Sequence, residues 1–182
     1  MLGFLWGLDK SLFDLIYNLP HNSVFNLFFS FLSGIGTWGL IWFGIMVGLV
    51  VWEEIKDRKE LFTLVLGLFM AIGLVDLVVK NIVKRPRPVV LHPIPIMFFG
   101  HISTYSFPSG HATLAFTAAY ILSKKHKRWA KYYYLLAVLI AISRIYLGYH
   151  YPSDVVVGAL FGLILGYISI RIAELFFPKP AI

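Results

Sequence analysis

Apolar residues fill this chain in long blocks, and the spacing of polar residues around them predicts helices. The first signal is Phe4, Leu5, Leu8, Leu12, Leu15 and Ile16, which recur at helical spacing with Asp9, Lys10 and Asp14 on the other side. That pattern predicts an amphipathic helix lying in a membrane interface. Pro20, His21 and Asn22 break it, and a second apolar piece, SVFNLFFSFLSG, is too brief to cross a bilayer unless neighbours pack against it. Five further blocks, 38–52, 61–79, 113–123, 132–145 and 155–177, predict membrane spans. Several are short, so their ends are expected to run into the flanking polar residues. Between the second and third blocks lies the longest connection, residues 84–108, where Pro86, Pro88, Pro93, Pro95 and Pro108 forbid a continuous helix.

Composition places these blocks in lipid rather than in a soluble core. The 182 residues are 59% hydrophobic, 17% aromatic and only 14% charged, with a mean hydropathy of +0.78, outside the range of soluble domains. The expected fold is all-α: a polytopic membrane helix bundle forming one domain over 1–182. Residues 37–177 supply five transmembrane helices, and residues 1–36 supply short or interfacial helices whose topology, including a sixth span, stays open. The N-terminus lacks the basic region and cleavage site of a signal peptide. The sequence has no cysteine, which excludes disulfides and cysteine-based nucleophiles or metal sites. A net charge of +7 is read as basic residues flanking spans, not as a nucleic-acid surface.

Loop charge then gives an orientation. KKHKRWAK (124–131) carries five Lys or Arg and EEIKDRKE (53–60) carries three, so both are assigned to the cytoplasm by the positive-inside rule. The long connection and the link GYHYPSD (148–154) then share the outer side. Lys80, Lys84, Arg85, Arg87 and Arg144 fall there too, against the rule, and cations kept at such a cost point to an anionic ligand.

Three polar clusters collect on that side. In DLVVKNIVKRPRP (76–88), Asp76, Lys80 and Lys84 form one helical stripe, Asp76 pairs with Lys80, and the helix ends near Arg85 because of Pro86. Taken singly, this reads better as a snorkelling basic collar. In Pro108-Ser109-Gly110-His111, Ser109 is a helix cap whose free N–H groups make an anion site, with Gly110 allowing close approach. A cap needs no histidine; His111 beside an anion becomes a plausible acid. In SRIYLGYHYPSD (143–154), Ser143 and Arg144 close one helix, Ser153 opens the next, and Asp154 lies four residues after His150, placed to hold its imidazole. Together the clusters describe a phosphate site with a nucleophile and an acid at hand. With only Asp76 and Asp154 as carboxylates near this face, a metal site fits poorly. His92 and His101 are read as interfacial residues.

This arrangement resembles the type 2 phosphatidic acid phosphatase superfamily of integral membrane lipid phosphatases. All three family signatures are matched, by Lys80 with Arg87-Pro88, by Pro108-Ser109-Gly110-His111, and by Ser143-Arg144 with His150 and Asp154. The resemblance implies that His150 is the nucleophile forming a phosphohistidine, with Asp154 orienting it and His111 protonating the leaving oxygen. It further implies a phosphate held by Lys80, Arg87, Ser109, Gly110 and Arg144, and no metal or other cofactor. The expected partners are the bilayer and a lipid phosphate or pyrophosphate. Undecaprenyl pyrophosphate is the first choice, followed by phosphatidylglycerophosphate and phosphatidic acid, with lipid A phosphate behind them. The expected location is a bacterial cytoplasmic membrane, with the site facing outward and the apolar stretch VVLHPIPIMFF (89–99) lining the tail entrance. The competing class is a protein that binds or transports anionic lipids without chemistry, which leaves the His150–Asp154 spacing without a purpose.

Overall fold

The computed structural model describes residues 2–52, 58–88 and 105–178. The stretch 89–99, with His92 and His101, and most of the loop 53–60 lie outside the described residues. Among the described residues, eight α-helices follow in order: α1 (Leu2–Tyr17), α2 (Ser23–Gly36), α3 (Leu40–Val51), α4 (Arg58–Ile72), α5 (Lys80–Val83), α6 (Gly110–Lys125), α7 (Ala130–Tyr146) and α8 (Pro152–Phe176). No β-strand occurs among the described residues, where Pro86 and Tyr105 form an isolated antiparallel bridge. This is the all-helical architecture expected where lipid offers the backbone no hydrogen-bond partner.

The span boundaries differ from the sequence expectation at one place above all. The block from residue 38 does not start a helix of its own: α2 and α3 join into a rod over Ser23–Val51, 29 residues long. The rod is interrupted only at Trp38 and Gly39, whose φ angles of 53° and 76° are left-handed. The short piece SVFNLFFSFLSG is therefore the first half of this rod. Asn22 caps it, accepting from the Phe25 amide at 2.9 Å.

Three helical runs, Ser23–Val51, Arg58–Val83 and Pro152–Phe176, are long and apolar enough to cross a membrane. The helices α6 and α7 have only 16 and 17 residues. Their brevity goes with their position. Nine residues of α6, from Ala112 to Leu122, are buried by other helices, so its moderate apolarity is not set against lipid. Trp42, Met46 and Leu49 of α3 close a core with Leu64, Ala115, Ala118, Ile121, Leu122, Tyr133, Ala137 and Ile140.

α6 lies closest to α8, and three glycines explain how. A Cβ on Gly158 would stand 2.7 Å from the Ser109 carbonyl oxygen. One on Gly162 would stand 2.5 Å from the Thr113 carbonyl oxygen, and one on Gly166 would stand 3.1 Å from that of Thr117. Spaced by four, the glycines form one bare stripe that lets backbones touch, the common solution where lipid gives helices no hydrophobic reason to associate. Thr117 Oγ1 adds a hydrogen bond to the Gly162 carbonyl at 3.1 Å. At the end of α6 away from its cap, His126 Nε2 meets Glu60 Oε1 at 2.6 Å, both buried, fastening the start of α4.

α1 turns Asp9, not its apolar stripe, toward the bundle. Asp9 and Phe13 face the protein, while Leu8, Leu12 and Leu15 are exposed. The apolar stripe thus looks away from the bundle, as an interfacial helix requires.

Replacing Gly162 with Val is expected to destabilise the protein by about 2 kcal/mol, because the added side chain has no room to relax. Gly44, where an added Cβ meets nothing within 4 Å, serves as the control. Thermal unfolding in detergent of Gly162→Val beside Gly44→Ala checks this, and equal midpoints would refute the seam.

Candidate active site

The site forms where the end of α5, the starts of α6 and α8 and the end of α7 converge. Its first side comes from α4. A π-helical turn at Gly73–Val79 widens the helix just before Lys80, and Lys80 bonds Asp76 one turn back, as expected. Lys84, with φ of 51°, ends the helix, slightly earlier than the sequence suggests. The chain then runs extended: the Ser106 amide donates to the Arg85 carbonyl at 2.8 Å, and Ser106 Oγ donates to that of Pro86 at 3.0 Å. These bonds tie the first cluster to the residues leading into the second.

Ser109 caps α6, its hydroxyl oxygen accepting from the Ala112 amide at 3.5 Å. Its own amide donates to the Asp154 carbonyl at 3.0 Å, so the starts of α6 and α8 are joined backbone to backbone. At Gly110 an added Cβ would make only ordinary contacts, 3.7 Å to the Asp76 carboxylate and 3.8 Å to Lys80 Nζ, so the described neighbours do not themselves require glycine there. His111 Nε2 lies 3.3 Å from Thr37 Oγ1. That hydroxyl donates to the Ser33 carbonyl at 3.1 Å, so it accepts from His111, which leaves Nδ1 as the nitrogen open to proton exchange.

α7 ends on Arg144, which is buried, bonds Ser33 Oγ and lies over the Tyr149 ring at 4.6 Å. The turn that follows folds back: the amides of Tyr149 and His150 donate to the Arg144 carbonyl at 3.0 and 3.2 Å, with Gly148 at φ 76° supplying the left-handed step. Arg87 Nη1 donates to the Tyr149 carbonyl at 2.7 Å and stands 3.4 Å from His150 Nε2. A guanidinium has only donors, so the Nε2 facing it is the unprotonated nitrogen. Burial, and then the charges of Arg87, Arg144 and Lys80, push the His150 imidazole well below its ordinary value. The ring is neutral at neutral pH, with its lone pair turned toward the cations.

Two expectations need correction here. α8 begins at Pro152, with Tyr151 rather than Ser153 before it, because Asp154 Oδ2 accepts from the Tyr151 amide at 2.9 Å and closes a capping box. Asp154 also does not hydrogen-bond the histidine: Oδ2 lies 3.6 Å from His150 Nδ1, which has no hydrogen-bond partner, and neither has the buried Arg144 Nε. Buried donors left open in this way await an acceptor.

Lys80, Arg87, Ser109, Gly110, His111, Arg144, His150 and Asp154 all come to this end of the bundle. Four participants escaped sequence reasoning. Ser33 and Thr37 carry no signal beyond polarity in an apolar run. Arg85 was legible only as one of several misplaced cations, and Asp9 only as the polar side of an amphipathic helix. Among the described residues, no group of three or more His, Asp or Glu is placed to hold a metal ion.

A sequence profile of the PAP2 superfamily matches residues 60–177, which include all three clusters. An undecaprenyl-diphosphatase of Sulfolobus acidocaldarius is 32% identical over 174 residues, covering 91% of this chain and 79% of the relative. The crystal structure of Aquifex aeolicus LpxE superposes with a TM-score of 0.67 at 34% identity, covering 90% of this chain and 95% of that one. A transmembrane PAP2-type phosphatidylglycerolphosphate phosphatase of Bacillus subtilis, 24% identical, shares the fold with a TM-score of 0.70 over 97% of this chain and 89% of its own. With its helices, its three clusters and this extent of similarity, the chain is an integral membrane protein that belongs to the PAP2 superfamily.

Proposed function

We propose that this protein is a metal-independent lipid phosphatase working through a phosphohistidine on His150, with undecaprenyl pyrophosphate as its substrate. The observation that carries the reading is the unprotonated Nε2 of His150, which faces Arg87 at 3.4 Å. Lys80, Arg87 and Arg144 surround the space with positive charge, and Arg144 Nε is a donor still open. Phosphoryl transfer asks a protein chiefly for position and for charge around the equatorial oxygens, and these cations supply it.

In the first step Nε2 attacks the terminal phosphorus. The bond to the bridging oxygen breaks, and His111, protonated on both nitrogens beside the anionic substrate, gives its Nδ1 proton to that oxygen, releasing the lipid monophosphate. In the second step His111 takes a proton from water, the resulting oxygen attacks phosphorus, and the N–P bond breaks. Inorganic phosphate leaves and His150 is neutral again. Asp154 steadies the imidazole while it carries the phosphoryl group.

The choice of lipid leans on the undecaprenyl-diphosphatase relative. Phosphatidylglycerophosphate and phosphatidic acid are the alternative substrates. The site is assigned to the outer face because the basic turn 124–131 lies at the other end of α6 from His111, about 20 Å away at 1.5 Å per residue, and basic turns stay cytoplasmic.

Purified protein is expected to release phosphate from undecaprenyl pyrophosphate in EDTA, and His150→Ala to lower kcat at least about 1,000-fold. Binding of the lipid without phosphate release would instead favour the anionic-lipid carrier. The acid limb of kcat/KM is expected below pH about 6.5, the ordinary imidazole value, since His150 must lose its proton to attack and its environment favours the neutral form. A limb at or above that value refutes the assignment. The chain has no cysteine, so an exposed Lys10→Cys is expected to react with an impermeant maleimide on intact cells, and an exposed Lys127→Cys only after permeabilisation. The reverse pattern would put the site on the cytoplasmic face.

A further inference from the structure

Arg85 stands among the cations of the site, yet it is turned away from the phosphate space. Its Nη1 lies 2.5 Å from Asp154 Oδ1 and 2.7 Å from Ser153 Oγ. Its Nη2 lies 2.6 Å from Asp9 Oδ2. The rings of Tyr151 and Trp6 lie against the guanidinium, at 4.3 and 4.9 Å. Asp9 in turn accepts from the Ser153 amide at 2.8 Å and from Ser153 Oγ at 2.6 Å. One cation thus bridges two carboxylates from opposite ends of the sequence, all three groups being largely removed from solvent.

The bridge bears on the nucleophile through Asp154. With Oδ1 on Arg85 and Oδ2 on the Tyr151 amide, both oxygens are occupied and the carboxylate has no freedom to turn. It is fixed 3.6 Å from His150 Nδ1, near enough to steady a positive ring and too far to hydrogen-bond the neutral one. We propose that Arg85 and Asp9 are positioning residues for the Asp154–His150 pair, and that α1 is thereby a working part of the site.

This role rests on the phosphatase reading above and explains two features that the reading leaves aside. An acid sits in the middle of an apolar helix because it must reach Arg85. Trp6 and Phe13 of the same helix pack on Tyr151, the residue before α8, at 5.4 and 5.5 Å between ring centroids. Lysine would replace Arg85 only in part, since an ammonium lacks the planar fork that serves two carboxylates at once.

The groups facing the His150 ring are Asp154 on α8, Arg87 and Lys80 from the α5 side, Arg144 on α7 and His111 on α6. Loss of Arg85 frees Asp154 to pair fully with the imidazole, which favours its protonated form.

The test compares wild type, Arg85→Gln, Arg85→Lys, Asp9→Asn and the double variant Arg85→Gln/Asp9→Asn, with Asp14→Asn as an exposed control on α1 and His150→Ala as the reference for the reading itself. Phosphate release from undecaprenyl pyrophosphate is measured across pH. For Arg85→Gln we expect a fall in kcat of roughly 10- to 100-fold with KM within about twofold, and an acid limb moved to higher pH. Asp9→Asn is expected to lower kcat in the same direction by less, Arg85→Lys to recover only part, Asp14→Asn to match wild type, and the double variant to lose no more than Arg85→Gln, the mark of groups acting as one unit. Wild-type kcat and limb in Arg85→Gln and Asp9→Asn, beside an inactive His150→Ala, overturn the inference and leave the phosphatase reading standing. A fall in kcat with an unmoved limb reports only lost folded protein and overturns it as well. Absence of turnover in the wild type defeats both.

Discussion

The Ser109 amide donates to the Asp154 carbonyl, and the rest of the site depends on the approach that this bond records. Two helix starts meet at backbone distance only because Gly158, Gly162 and Gly166 leave α8 bare along that side. A side chain at any of them would part α6 from α8 and carry His111 away from Asp154. Lipid makes the constraint strict. With no hydrophobic drive between helices, contact area and backbone closeness have to hold the pair, so packing and chemistry draw on the same residues.

The second constraint is charge. Lys80, Arg85 and Arg144 are largely buried, and cations removed from water need partners. The molecule treats them in two ways. Lys80 and Arg85 are matched with carboxylates, whereas Arg144 is left with a buried Nε that bonds nothing. The difference separates structure from readiness. Arg85, matched twice, ties α1 to α8, whereas the Nε of Arg144 is a buried donor without a bond. His150 falls on the side of readiness, with Nδ1 unpartnered and Nε2 turned to Arg87.

The three clusters were legible because their chemistry is local. A serine cap, a histidine in the first helical turn, and a carboxylate four residues after a histidine each have a meaning within one turn of helix. The all-helical class was legible for a similar reason, since apolar blocks of that length have few other uses. What escaped was long-range and directional. Asp9 was assigned to the polar side of an amphipathic helix, but in lipid that side turns inward, so the usual sense of burial reverses. The break at Trp38 and Gly39 hid the continuity of the α2–α3 rod, because left-handed residues look like an end rather than a bend. Ser33 and Thr37 gave no sign, since hydroxyls in apolar helices usually bond their own backbone; here they also hold Arg144 and His111. The 3.6 Å gap between Asp154 and His150 depends on Arg85, a residue whose number says nothing of its partner.

The reach of the first two helices has a consequence for how this protein divides into parts. The family profile begins at residue 60, yet Asp9, Ser33 and Thr37 hold Arg85, Arg144 and His111. The segment that the family profile matches is therefore shorter than the segment whose side chains meet at the site. Modularity fails at that boundary: a chimera joining residues 60–177 to another front would inherit every signature residue, but would keep these contacts only where that front offers polar groups at the places of Asp9, Ser33 and Thr37. The two portions have to change together, and the variation permitted in α1 and α2 is set by the side chains they reach rather than by the lipid around them.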